Sequence, residues 1–221
     1  MMFSSIERSP LRYACSAGLL YLAIIALGIF GELFVRGTLV VPGDAAATAN
    51  AISASQFLWR AGIVGDVLMH VLDVPVIVVL YLLLRPVSES LALLTMLFNL
   101  VQSAVLAVDK LTLLVPIFLL EETAYLKPFT TEQRHALSTL AIEAHGFGFG
   151  IGLVFFGFAC LVRGYLMFRS GYFPKILGLL MVGTGLSYLI NSFALLLAPS
   201  FAASIFPSVL VPAFVGALSV C

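Results

Sequence analysis

The sequence predicts an all-α, polytopic transmembrane bundle of about six helices, and three observations support that prediction. Hydrophobic residues make up 62% of the 221 and charged residues only 10%, with a mean hydropathy of +1.14. A soluble domain carries roughly 25% charged residues, and no core of this size hides so much apolar surface, so lipid must be the solvent. The apolar runs are long enough for helices of about 20–25 residues. Turn signals separate those runs, at Pro42-Gly43-Asp44, Arg85-Pro86, Ser170-Gly171 and Pro174.

The elements follow in order within one integral-membrane domain, residues 1–221. Arg8 and Arg12 precede the first apolar run. No small-x-small cleavage site follows it, so it reads as a retained helix over about 11–35 rather than a signal peptide. Glu32 and Arg36, four apart, pair at its far end. Asp44 suits an N-cap for a short interfacial helix near 45–54. The second span covers 57–84, with Pro75 inside it removing one backbone hydrogen bond. The third covers 88–120 and is interrupted late by Pro116. After a polar loop over 121–134, Thr130 or Thr131 caps a long fourth helix, 131–169. The fifth runs over 174–197. A last apolar run, 208–221, is short for a span, so it either tilts little or is incomplete.

Eleven basic and eleven acidic residues cancel. That leaves no basic field for nucleic acid and no polybasic lipid-binding cluster, and makes the bilayer the predicted partner. Cys15, Cys160 and Cys221 are far apart, in neither a disulfide framework nor a zinc spacing. Lys and Arg near the helix ends favour a cytoplasmic N-terminus in a cell (inner) membrane.

The most informative stretch is the second span, which carries Asp66, His70 and Asp73. Steps of four and seven residues rotate a helix by about 40° and −20°, so the three share one face. Ionisable groups at that depth cost several kcal/mol unless they face protein or water. The third span adds Asn99, Gln102 and Asp109, the last beside Lys110. The fourth adds Glu143 and His145, and the fifth Asn191 and Ser192. Together they predict a polar cavity in the outer half, built from Asp66, His70, Asp73, Asn99, Gln102, Asp109, His145 and Asn191. Glu143 and His145 point about 200° apart on a regular helix, and Glu143 reads as the interfacial one. Asp66–His70 also reads as a structural hydrogen bond. Asp109 and Lys110 read equally as partners of neighbouring helices, and the amides as interhelical glue.

His70 with either Asp66 or Asp73 could hold a metal ion, with His145 as a further donor. All three together could not, because Asp66 and Asp73 lie about 10 Å apart along the axis. No metal is therefore expected, and a cofactor is not specified. Residues 143–152, EAHGFGFGIG, place Gly146 with Gly150 and Gly148 with Gly152 as two small-residue pairs on opposite sides of a helix packed on both flanks.

Residues 31–37 (GELFVRG), 41–49 (VPGDAAATA), 84–87 (LRPV), 144–150 (AHGFGFG) and 168–174 (FRSGYFP) resemble the bacterial multi-pass family called domain of unknown function 4386. The resemblance covers essentially the whole chain and implies a bacterial inner-membrane protein of several helices. It assigns no activity, so no catalytic residue is carried over. The last run is shorter than the family pattern. Three functions stay open: ligand binding or assembly, with a second copy or a membrane partner; a small proton-coupled transporter; and a membrane-embedded enzyme using His and Asp, which the sequence favours least. The ligand is not specified.

Overall fold

The computed structural model describes residues 10–201, apart from 122 and 172, with side chains from residue 15 onward. The expected run at 208–221 lies outside the described residues. Within them every regular element is helical. The first is α1 (Pro10–Ile29), which continues through a π-helical segment, Phe30–Arg36, into a last α-turn, Gly37–Leu39. There follow α2 (Ala45–Ala54), α3 (Gln56–Leu84), α4 (Glu89–Leu120), α5 (Thr131–Arg169) and α6 (Lys175–Leu197). Five helices are long and apolar enough to cross a membrane, and the chain is a multi-pass membrane protein.

Local chemistry sets the helix ends. The Asp44 side chain accepts from the Ala47 N–H at 2.8 Å and starts α2. Thr130 and Gln133 form a reciprocal capping box at the start of α5. Gly171, at φ 74°, supplies the left-handed turn between α5 and α6. Ser55, outside helical geometry, breaks α2 from α3, so the short helix is a separate element.

Burial runs opposite to a soluble protein. One side of α3 exposes Val64, Val67, Leu68, Val71 and Val74, while its covered side holds Asp66 and His70. Such a surface is sensible only against lipid. Neighbours in sequence pack as neighbours in space: α1 on α3, α3 on α4, α4 on α5, and α5 on α6. α5 and α6 approach closely, because a Cβ at Gly164 would stand 2.7 Å from the Gly178 carbonyl, and one at Gly185 2.7 Å from the Gly157 carbonyl. Small residues at these crossings let the backbones meet.

Two apolar clusters plug the bundle. At the far end, the end of the loops over 40–44 and 121–130, Val35, Leu39, Ile52, Trp59, Ile63, Leu113 and Ile117 pack together. There α2 folds against α4 and α5 with Thr48, Ala49 and Ile52 buried. The Trp59 indole donates to the Leu113 carbonyl at 2.8 Å, in the turn where Pro116 interrupts the α4 ladder. At the near end, the end of the N-terminus and the loop over 85–88, Leu84, Ala92, Leu166 and Met167 form the second cluster. Asp66, His70, Asn99, Gln102 and Asp109 are buried between the two.

Candidate functional site

The π-helical segment begins the site. Its wider turn is closed by the Gly37 N–H on the Glu32 carbonyl, five residues back. The Arg36 guanidinium still reaches Glu32, Nε to Oε2 at 2.8 Å, as an i,i+4 pair. Its other edge turns inward and donates to Asp66 on α3, Nη1 to Oδ2 at 2.7 Å and Nη2 to Oδ1 at 3.4 Å. Gly31 makes room for this, since a Cβ there would strike the Asp66 carboxylate.

Asp66 has a second cation. Lys110 Nζ, from α4, stands 3.5 Å from Asp66 Oδ2 and 5.7 Å from the centroid of the Phe149 ring on α5. The adjacent Asp109 points to the other neighbour, with Oδ2 2.5 Å from His145 Nδ1 on α5. The result is a ladder of alternating acidic and basic side chains, Glu32, Arg36, Asp66, Lys110, Asp109 and His145, running across four helices. Glu32 is its exposed end; Asp66, Lys110, Asp109 and His145 are buried. The roughly 100° between consecutive helical residues lets Asp109 and Lys110 serve opposite sides of α4.

Toward the middle of the bundle, His70 lies within electrostatic reach of Lys110, Asp66 and Asp109, and its Nε2 is buried without a hydrogen-bond partner. Asp66 is occupied by the two cations, and no hydrogen bond joins it to His70 among the described residues. Asp73 accepts a short hydrogen bond from the Ser103 hydroxyl. Gln102 Oε1 and Asn99 Oδ1 are buried without donors. Asn191 is on α6, which packs on the α5 side away from α3. Its Oδ1 is likewise without a partner, and among the described residues it makes no hydrogen bond to the others.

Two expectations need correction, although His145, a member of the expected cavity, is buried and Glu143 is exposed. The reason is rotational: Gly148 faces Asp109 on α4, and His145, one turn earlier, shares that side. His145 therefore joins Asp109 rather than a group with Asp66, His70 and Asp73. Gly146 meets nothing within 4 Å of an added Cβ, so it is not a contact residue. The other three glycines do meet neighbours. A Cβ at Gly148 would collide with Asp109, one at Gly152 with Leu106, and one at Gly150 would lie 2.7 Å from Leu195 on α6.

Sequence reasoning missed Arg36 as a member of the cluster, because its i,i+4 partner Glu32 already accounted for it. The tight α5–α6 glycines were also missed. Their heptad spacing, 157 to 164 and 178 to 185, was the available signal. No three His, Cys, Asp or Glu side chains among the described residues converge as a metal ion requires. A cavity of about 50 Å³ lies nearer the other end, lined by Ala17, Gly18, Tyr21, Val76, Leu80 and Met167, and it is apolar.

Comparison with known proteins fits this architecture. The model of the family described as Domain of unknown function (DUF4386) matches residues 16–221, and the chain belongs to that family. A protein of Archaeoglobus fulgidus bearing the name "Uncharacterized protein" is 33% identical over 129 residues, 58% of this chain and 64% of its own length. The chain thus spans just under two thirds of that relative. No solved structure matches it.

Proposed function

We propose that this family member works through its far-end polar cluster, which binds a small ligand or a partner chain within the membrane. The observation that carries this reading is the ladder from Arg36 to His145. Buried ion pairs are rarely retained for stability, since apolar residues of similar volume often serve as well or better. Six ionisable groups spread over four apolar helices therefore point to use rather than to stability. His70, buried beside the ladder with Nε2 free, is the group best placed to receive something.

We further place the N-terminus and the loop over 85–88 on the cytoplasmic side of the cell membrane. About 28 Å of helix separates Asp66 from Arg85, close to the hydrocarbon thickness, which would set the ladder at the outer boundary. Native mass spectrometry of protein released from membranes, wild type against His70→Ala, tests the binding reading. A bound small molecule or second subunit lost on substitution would support it. Identical spectra carrying neither would overturn it.

A proton-coupled transporter is the second reading. The string of unsatisfied buried atoms, His70 Nε2, Gln102 Oε1 and Asn99 Oδ1, favours it, because such groups can be bridged by water. Proton uptake in proteoliposomes that survives His70→Ala and Asp73→Asn together would count against it. The enzyme reading has only the His145–Asp109 contact behind it. Among the described residues His145 makes no hydrogen bond to a hydroxyl or thiol nucleophile.

A further inference from the structure

Arg163 is the costliest side chain in the bundle for which nothing above accounts. It sits on α5 only 3% exposed, and its Nε is buried without an acceptor. No ion pair or hydrogen bond to it is found among the described residues. A guanidinium held out of water without a partner costs several kcal/mol, so a buried arginine is normally met by an acceptor.

What faces it can be read from the register of α4 and α5. Leu106 stands against Gly152, and the Phe98 and Phe158 rings stack with centroids 5.8 Å apart. Ala92 shares the near-end cluster with Leu166. Stepping about three turns along both helices from Leu106 and Gly152 reaches Thr95 and Arg163, each still on the contact face. Thr95 is buried, and its Oγ1 is likewise without a partner. Helical side chains lean toward the N-terminus of their helix, which for Arg163 is toward Asn99. Its electrostatic reach to Asp73 on α3 agrees with that lean, yet the two make no ion pair.

We propose that Arg163 and Thr95, with the Asn99 amide beside them, form a binding site for a small oxyanion, a carboxylate or a phosphate. The planar fork of a guanidinium matches two oxygens of such a group, and a hydroxyl donor opposite completes a donor set with no competing acceptor bonded to it. The site is distinct from the ladder and about 9 Å of helix inside the α5 terminus at Arg169, beneath the near-end apolar cluster. A free small molecule or the phosphate of a lipid headgroup supplies the same chemistry.

The test uses the full chain in detergent and in nanodiscs. Melting temperature is followed in sodium phosphate and in sodium acetate against sodium chloride at matched ionic strength. It is followed also in phosphatidylglycerol against phosphatidylcholine nanodiscs. The expected result is a saturable rise with an oxyanion or with phosphatidylglycerol, lost in Arg163→Met and weakened in Thr95→Val and Arg163→Lys. A response to free anions in detergent indicates a soluble ligand, and one confined to phosphatidylglycerol a headgroup. If Arg163→Met does not fold, the other two variants carry the test. The proposal is overturned if no oxyanion or anionic lipid shifts the melt, or if the shift persists in every variant. It also falls if no such response appears while Asp73→Asn and Arg163→Met are strongly non-additive, which would make Asp73 the counter-ion.

Discussion

The Asp66 carboxylate receives Arg36 Nη1 at 2.7 Å from a residue thirty positions earlier, and this bond ties the end of the first span to the middle of the bundle. With Lys110 on its other side, Asp66 is shared by a partly buried arginine and a buried lysine. Removing it leaves Arg36 with only the exposed Glu32 and Lys110 with only the neighbouring Asp109, which His145 also approaches. Asp66→Ala should therefore lower stability by about 3–5 kcal/mol, read as a fall in melting temperature of the purified protein. Glu32→Ala, at the exposed end of the same ladder, should cost less than about 1 kcal/mol. Equal losses from the two would mean that the ladder does not act as a buried network.

The glycines of α5 give a paired prediction of opposite sign. Gly148→Ala drives a methyl into the Asp109 carboxylate and should destabilise by roughly 1–3 kcal/mol. Gly146→Ala meets open space and removes a poor helix former, so it should be neutral or stabilise by up to about 1 kcal/mol. Thermal melts of the two variants side by side would separate contact from propensity.

These two glycines also mark what the sequence could and could not say. Helix type and approximate extent followed from apolar run length and from caps such as Asp44 and Thr130, because those signals are local. The second span, read as 57–84, is observed as Gln56–Leu84. Rotation about the helix axis is not local. The sequence offers His145 as a cavity residue, but that its partner is Asp109 follows only from the approach of α4 at Gly148. The inward turn of Arg36 depends on a π-helical segment inside an apolar run, for which composition carries no signal. Asp109 and Lys110 could be read as partners of two neighbours from their 100° separation alone, but which neighbour each takes required the packing of α4 between α3 and α5.

Asp109 and His145 should behave as a coupled pair. Their 2.5 Å approach, largely out of solvent, predicts that Asp109→Asn and His145→Ala are non-additive, with a coupling energy of about 0.5–3 kcal/mol. A double-mutant cycle on melting free energies measures this. Strict additivity would show that the two side chains do not interact in the folded protein and would break the ladder at α5.

Trp59 joins the far-end apolar cluster to the interrupted turn of α4. Its indole is fully covered, and its N–H donates to the Leu113 carbonyl at 2.8 Å. Trp59→Phe keeps most of the apolar contact but removes the indole donor, so that carbonyl loses its bond to α3 in a region closed to water. The cost should be about 1–3 kcal/mol, smaller than the 3–5 kcal/mol expected for Trp59→Ala, which also opens a cavity. The loss should be local: amide exchange should rise first in the last two turns of α4 and at the start of α3, ahead of the segments around Asn99. If exchange instead rises uniformly along α4, the far-end cluster is not an independent plug, and its packing is continuous with the polar layer beneath it.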